Sequence, residues 1–208
     1  AAMAKETAHQ IGTPLTSMMG WITLLKEKQK KSDPVLEIEK DIERLKVITD
    51  RFSKVGSTPD LTPSDLIETI NNTVGYLQKR SSEHVNFNLD LPEEGIIIPF
   101  NSQLISWTIE NLIKNGIDAM KGKGTISLKI NELDHKVEIL ISDTGMGMPK
   151  EIASKIFAPG FTTKSRGWGL GLSLARRIIV DFHQGKINVV KTVLGKGTQF
   201  RILLNKIV

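Results

Sequence analysis

"KVEILISDTGMGMP", residues 136–149, is the stretch on which the fold turns. Its first eight residues read as a strand, and the chain after Asp143 can bend tightly at Gly145 and Gly147. A carboxylate in that place can accept a hydrogen bond from an exocyclic amine such as that of adenine. The missing side chains would let a base approach the backbone. Asp-x-Gly is also the signature of a plain turn, so the stretch needs its surroundings to be read.

On either side, helical and strand patterns mix. "LTPSDLIETINNTVGYLQKR" is predicted helical with Thr62 or Ser64 as cap, "VNFNLDL" and "GIIIPF" as strands, and "NSQLISWTIENLIKNGIDAMKG" as a helix. "GTISLKINEL" pairs with "KVEILISD", "GWGLGLSLARRIIVDFH" reads as one helix, and "GKINVV" and "GTQFRILL" close the domain as strands. Consecutive strands in hairpins, with helices between, predict helices on one face of a mixed sheet.

Before this domain the pattern is helical throughout. Apolar residues at Ala8, Ile11, Leu15, Met18, Ile22 and Leu25 alternate steps of three and four. "KSDP" at 31–34 interrupts, with Asp33 a candidate N-cap and Pro34 in the first helical position. Val35, Ile38, Ile42, Leu45, Phe52 and Val55 then resume the steps, with Thr49 in the one polar slot. Two such helices make an antiparallel hairpin whose stripes a second copy would bury, so a homodimeric four-helix bundle is expected. "GSTPDLTPSD", residues 56–65, breaks all periodicity and marks the hinge. The division is 1–56 hairpin, 57–64 linker and 65–208 second domain, and the fold class is α+β, the second domain being an α/β two-layer sandwich with a mixed sheet.

Composition bounds the function. The 208 residues are 39% hydrophobic and 25% charged, enough for a sizeable core. No run approaches the roughly 18 apolar residues of a membrane helix and no signal-peptide pattern is present, so a soluble, cytoplasmic fragment without direct membrane contact is expected. The absence of cysteine removes disulfides, thiolate catalysis and thiolate metal sites. The net charge of +5 comes from scattered basic residues, and a solvated basic surface is favoured over nucleic-acid binding.

Two further stretches carry chemistry. "SRGWGLGLSLARR", 165–177, places Gly167, Gly169 and Gly171 where a helix begins, and free backbone N–H groups there suit phosphate. It is neither a Walker loop nor a good Rossmann fingerprint. "ENLIKNGIDAM", 110–120, puts Asn111 and Asn115 one turn apart on one helix face. Such amides are either satisfied core groups or oxygen ligands completing a magnesium shell otherwise filled by phosphates and water.

Taken in order, "ENLIKNGIDAM", "DTGMGM", "IFAPGFTTK", "GWGLGLSLA" and "GKGTQF" closely resemble the five boxes of the ATP-binding domain of sensor histidine kinases, from Asn111 to Phe200. The resemblance implies ATP and Mg²⁺ as cofactors, with Asn115 holding the metal and Asn111 assisting at the phosphates. It implies that Asp143 reads adenine beside Gly145 and Gly147. Gly167, Gly169, Leu170 and Gly171 would flank the triphosphate, and Thr198 would belong to the same pocket. Phe157 and Phe161 would anchor a mobile lid in which Lys164 reaches the γ-phosphate. Trp168 stands where the family usually has a small polar residue.

The same family carries its phosphoacceptor in a helical hairpin, within His-acid-x-x-Thr/Asn-Pro. Here the motif reads "HQIGTP", 9–14. Glycine and proline inside a helix cost about 1 and 3 kcal/mol, and Pro14 removes the backbone bond to the carbonyl of Gln10, loosening the helix beside His9. His9 lies one step off the apolar seam, and a neutral imidazole is a competent nucleophile near pH 7. Gln10 replaces the family's acid and cannot take a proton. Either Glu6, one turn earlier, supplies the carboxylate or the proton leaves to water. Thr13 matches the position the family uses to orient water when it dephosphorylates a partner; a hydroxyl bonding back to a helical carbonyl is the other reading.

The expectation is a kinase core that autophosphorylates His9 and passes the group to the receiver domain of a response regulator. Two alternatives fit the same ATP boxes. One is an ATPase or protein kinase of the same superfamily, which leaves "HQIGTP" unexplained. The other, kept open by Gln10, is a non-catalytic ATP-switched scaffold or a mainly phosphatase member.

Overall fold

A computed structural model describes residues 15, 16, 18–25, 35, 38, 42, 59–163 and 169–206. It divides into two compact units, 1–59 and 60–208. In the first, residues 15, 16, 18–25, 35, 38 and 42 are helical, and Leu15, Ile22 and Ile42 form a buried cluster against which Met19 and Val35 pack. Met18, Leu25 and Ile38, three members of the expected apolar stripes, are instead exposed at 45–52%. Among the described residues Leu15, Ile22 and Ile42 are the buried stripe members, and Met19, outside the expected stripe, packs against them.

The second unit begins with a strand where a helix cap was expected. β1 (Thr62–Asp65) pairs antiparallel with β3 (Ile97–Phe100), so neither Thr62 nor Ser64 caps anything. Asp65, the last strand residue, is the N-cap of α1 (Leu66–Gln78), and its Oδ1 accepts from the N–H of Ile67 at 2.8 Å and of Glu68 at 3.3 Å. Tertiary pairing with β3 overrides the local hydroxyl caps. β2 (Val85–Asp90) follows α1, and α2 (Ser102–Ala119) follows β3, capped by Asn101, whose side chain accepts from Leu104 N at 3.1 Å. Buried Leu104, Ile105, Thr108, Ile109, Leu112, Ile113 and Gly116 give α2 a continuous inner stripe.

β4 (Gly124–Glu132) and β5 (Lys136–Asp143) form a hairpin, as do β6 (Lys186–Val193) and β7 (Gly197–Asn205). Between the hairpins lie α3 (Lys150–Ala153) and α4 (Gly171–Arg177). Residues Ile178–Phe182 form a π-helix, so the single helix expected over "GWGLGLSLARRIIVDFH" is a short α-helix widening into a π-turn. The five-stranded sheet runs β2-β4-β5-β7-β6; β2 pairs parallel with β4 and every other pair is antiparallel, which makes the sheet mixed. The helices lie on one face: α2 packs on β4, β5 and β7, with α1 and α4 against it. Leu128, Val137, Ile139 and Ile202 are buried beneath them.

His183 joins the N-terminal end of α2 to the π-helix. Its Nε2 accepts from the N–H of Asn101, the cap of α2, at 3.1 Å, and its Nδ1 lies 2.7 Å from the carbonyl of Ile178. The ring therefore carries its proton on Nδ1 and is neutral. It is 6% exposed, and burial holds its pKa below the usual 6.5, the bond to Ile178 partly offsetting this.

Candidate functional site

The inner face of β5 alternates Val137, Ile139, Ile141 and Asp143, all buried. The carboxylate therefore fills the slot where the period calls for another apolar side chain. Across the sheet, Ile126 of β4, Asp143 of β5 and Thr198 of β7 lie in one row, and Thr198 is opposite Thr192 of β6. The face that is apolar along the rest of the sheet becomes polar in this row. Asp143 is 8% exposed and Thr198 5%. Burial raises the Asp143 pKa above 3.8, and hydrogen bonds from the Gly145 and Thr198 backbones pull it partly back. The Gly145 N–H donates to Oδ1 at 2.8 Å.

A buried carboxylate held only by backbone donors keeps lone pairs for another donor. Gly116 gives it room: a Cβ there would lie 2.8 Å from Ile126 Cδ1 and 3.0 Å from Asp143 Cβ. Helix α2 can pass this close to the carboxylate because residue 116 has no side chain.

Residues 144–149 run between the end of α2 and the β6–β7 turn. Met146 N–H donates to Ala119 O at 3.1 Å, and Gly195 N–H donates to Met146 O at 2.8 Å. At Gly145 a Cβ would meet Ala119 C at 2.7 Å. Gly147, with φ +61°, would place one 2.1 Å from Val193 O. These are backbone contacts that cannot yield, so the two glycines serve the approach of neighbouring chain as well as any bend.

On α2, Asn111 and Asn115 are half-buried one turn apart. Among the described residues Asn111 Nδ2 is buried with no hydrogen-bond partner, which counts against the satisfied-core reading for that amide. Its neighbour is Gly171, the first residue of α4, where a Cβ would sit 2.5 Å from Asn111 Oδ1. Just before, Gly169 has φ +65° and its carbonyl accepts from Gly160 N–H at 3.2 Å; Leu170 is half-buried. Phe157 stands edge-on to Phe200 of β7, centroids 6.4 Å apart, and Phe161 is half-buried. The structure thus gathers Asp143, Gly145, Gly147 and Thr198 at one end of α2 and brings Asn111 against Gly171. Lys164, Gly167 and Trp168 lie outside the described residues, as do Glu6, His9, Gln10 and Thr13. Thr192 and His183 carry geometry that no motif announced, and Gly116, though inside "ENLIKNGIDAM", was assigned no role there. A glycine at the centre of a strongly helical run was the available signal for Gly116.

An orphaned amide donor and a carboxylate with spare acceptor capacity suit a ligand that offers phosphate oxygens and an exocyclic amine. Among the described residues no three His, Cys, Asp or Glu side chains could hold a metal together. A magnesium ion bound here would take most of its shell from phosphates and water, with an amide oxygen such as that of Asn115 completing it.

Residues 101–207 match the family described as histidine kinase-, DNA gyrase B-, and HSP90-like ATPase. Sporulation kinase D of Bacillus subtilis (strain 168) is 30% identical over 211 residues, covering 97% of this chain and 41% of that protein. The chain therefore spans less than half the length of this curated relative. The nucleotide-free catalytic domain of histidine kinase ThkA superposes with a TM-score of 0.65 at 30% identity, over 71% of this chain and 97% of that one. Histidine kinase ThkA in complex with response regulator protein TrrA gives 0.67 at 25% identity, over 100% of this chain and 62% of that one.

Proposed function

The chain belongs to the histidine kinase-, DNA gyrase B-, and HSP90-like ATPase family, and from that premise we propose that it is the catalytic core of a sensor histidine kinase. Its ATP-binding domain delivers the γ-phosphoryl group to His9 of the hairpin, and phospho-His9 is the donor to an aspartate on a response-regulator receiver domain. The observation that carries the nucleotide half is the buried, unpartnered Asn111 Nδ2 beside Gly171, on the same helix whose Gly116 makes room for Asp143. Sequence carries the acceptor half, through "HQIGTP".

In this reading Asp143 accepts from the adenine amine and Asn111 donates to the phosphates. Leu170 and the glycines at 167, 169 and 171 border the triphosphate, and Lys164 reaches the γ-phosphate. Asn115 holds Mg²⁺, which when bound neutralises phosphate charge. A neutral His9 nitrogen attacks the γ-phosphorus in line, an N–P bond forms, and the P–O bond to ADP breaks. The imidazole proton goes to Glu6 or to water, because Gln10 cannot accept it. Thr13 orients water when the partner is dephosphorylated. Exposed Met18, Trp21, Leu25 and Ile38 support a homodimer in which a second hairpin covers the stripe. The complex of histidine kinase ThkA with TrrA supports a receiver domain as the partner.

The test is incubation with Mg²⁺ and γ-labelled ATP, with His9→Ala alongside. Label that is lost in acid, kept in base and missing from the variant is the expected result. Binding of ATP without any label would replace this reading with the ATP-switched scaffold or phosphatase that Gln10 leaves open, and label undiminished in the variant would move the acceptor elsewhere.

A further inference from the structure

The row of Ile126, Asp143 and Thr198 on the inner sheet face has a fourth member, Thr192, that no motif announces. β6 is an edge strand with an irregularity between Val189 and Lys191, so that Val189 faces Phe200, Lys191 faces Gln199 and Thr192 faces Thr198. Val190 is the extra residue and is 47% exposed. An unbroken strand would set Lys191 opposite Thr198 and turn Thr192 to the outer face. The bulge reverses this, which is what bulges beside binding sites do to a side chain.

Once turned inward, Thr192 Oγ1 makes three contacts. It accepts from Met148 N–H at 2.9 Å, lies 3.3 Å from Met148 O, and lies 3.1 Å from Thr198 Oγ1. A hydroxyl has one proton and two lone pairs, so a single side chain ties the end of the 144–149 loop to the threonine beside Asp143. The loop's other backbone ties run from Thr144 to Thr125 and from Met146 to Ala119 and Gly195. Without Thr192, its Met148 end would have no tie to this row.

We propose that Thr192 is a positioning residue for purine recognition, holding the 144–149 loop and the Thr198 hydroxyl in register with Asp143. This rests on the reading of Asp143 as the contact to the adenine amine.

Calorimetric titration with Mg-ADP and with Mg-IDP, which carries a carbonyl in place of that amine, tests it. Thr192→Val keeps the shape and removes the hydroxyl. Leaving the partly buried Met148 N–H unpaired is expected to weaken ADP binding roughly tenfold and to shrink the preference for ADP over IDP. Thr192→Ser is expected to restore both. Thr192→Ala replaces the valine variant should that fail to fold. A weaker ADP affinity with the preference intact makes Thr192 merely structural and overturns the proposal, as does wild-type behaviour of the valine variant. Asp143→Asn run in parallel separates the two claims. If it loses the preference and Thr192→Val does not, only the Thr192 assignment falls. If it keeps the preference, the reading of Asp143 falls and takes the Thr192 assignment with it.

Discussion

Asn111 and Gly171 occupy each other's space: the Cβ that any other residue would carry at 171 lies 2.5 Å from Asn111 Oδ1 and 2.9 Å from Nδ2. Helix α4 can start this close to the Asn111 amide because residue 171 has no side chain. Gly171→Ala must push the Asn111 amide aside, and the amide is short enough to rotate. The domain should fold with little loss of melting temperature while nucleotide affinity, measured by calorimetry, falls at least about tenfold, the worth of a charge-assisted hydrogen bond. An unchanged affinity would remove Asn111 from the site.

Asp143 should trade stability for binding. Its folded-state pKa lies above the unfolded value because of burial. Its contribution to stability is thus full below the unfolded pKa and is lost as pH rises through the folded one. Asp143→Asn should melt at a higher temperature than the wild type at pH 7, and the gap should close as the pH is lowered toward 4. ATP binding runs the other way, since only the ionised carboxylate accepts from an amine with both oxygens. Wild-type affinity should weaken on acidification, and the asparagine variant should bind weakly at every pH. Melting and titration series between pH 4 and pH 8 check both.

His183 gives the opposite sign. Burial lowers its pKa below 6.5, so its contribution is present above that value and is lost as pH falls through the folded pKa. Protonation of Nε2 ends the bond from Asn101 N–H. His183→Gln should cost about 1–2 kcal/mol at pH 7.5 and should flatten the loss of stability below pH 6.5. Denaturant melts at pH 7.5, 6.5 and 5.5 measure it; parallel slopes for the two proteins would assign the acid sensitivity elsewhere.

Gly147 and Gly195 both have positive φ, +61° and +73°, but only Gly147 faces a backbone carbonyl at 2.1 Å, while nothing lies within 4 Å of a Cβ at Gly195. Alanine at either position bears the left-handed strain of about 1–2 kcal/mol. Gly195→Ala should show that and no more. Gly147→Ala should in addition lift the loop from the β6–β7 turn and abolish measurable ADP binding. Equal effects of the two substitutions would mean that the loop is not seated as described.

The sequence alone reached the elements that rest on local pattern. The stripe Leu104, Ile105, Thr108, Ile109, Leu112, Ile113 and Gly116 is legible at helical period, and β5 shows its inner face in Val137, Ile139 and Ile141. Continuing that period by two residues places Asp143 on the same face, so the central carboxylate could be found without coordinates. Five ordered boxes supplied the family. Tertiary structure decided the rest, because each remaining feature depends on residues far apart in the chain. Pairing with β3 turned Thr62–Asp65 from helix cap into strand. The close approach of α2 to β4 and β5 gave Gly116 its use, and the start of α4 set Gly171 against Asn111, whose Nδ2 has no hydrogen-bond partner among the described residues. A bulge of one residue at Val190 reversed the face of Thr192, and strand periodicity is blind to this: a period of two carries no mark of where one residue will be skipped.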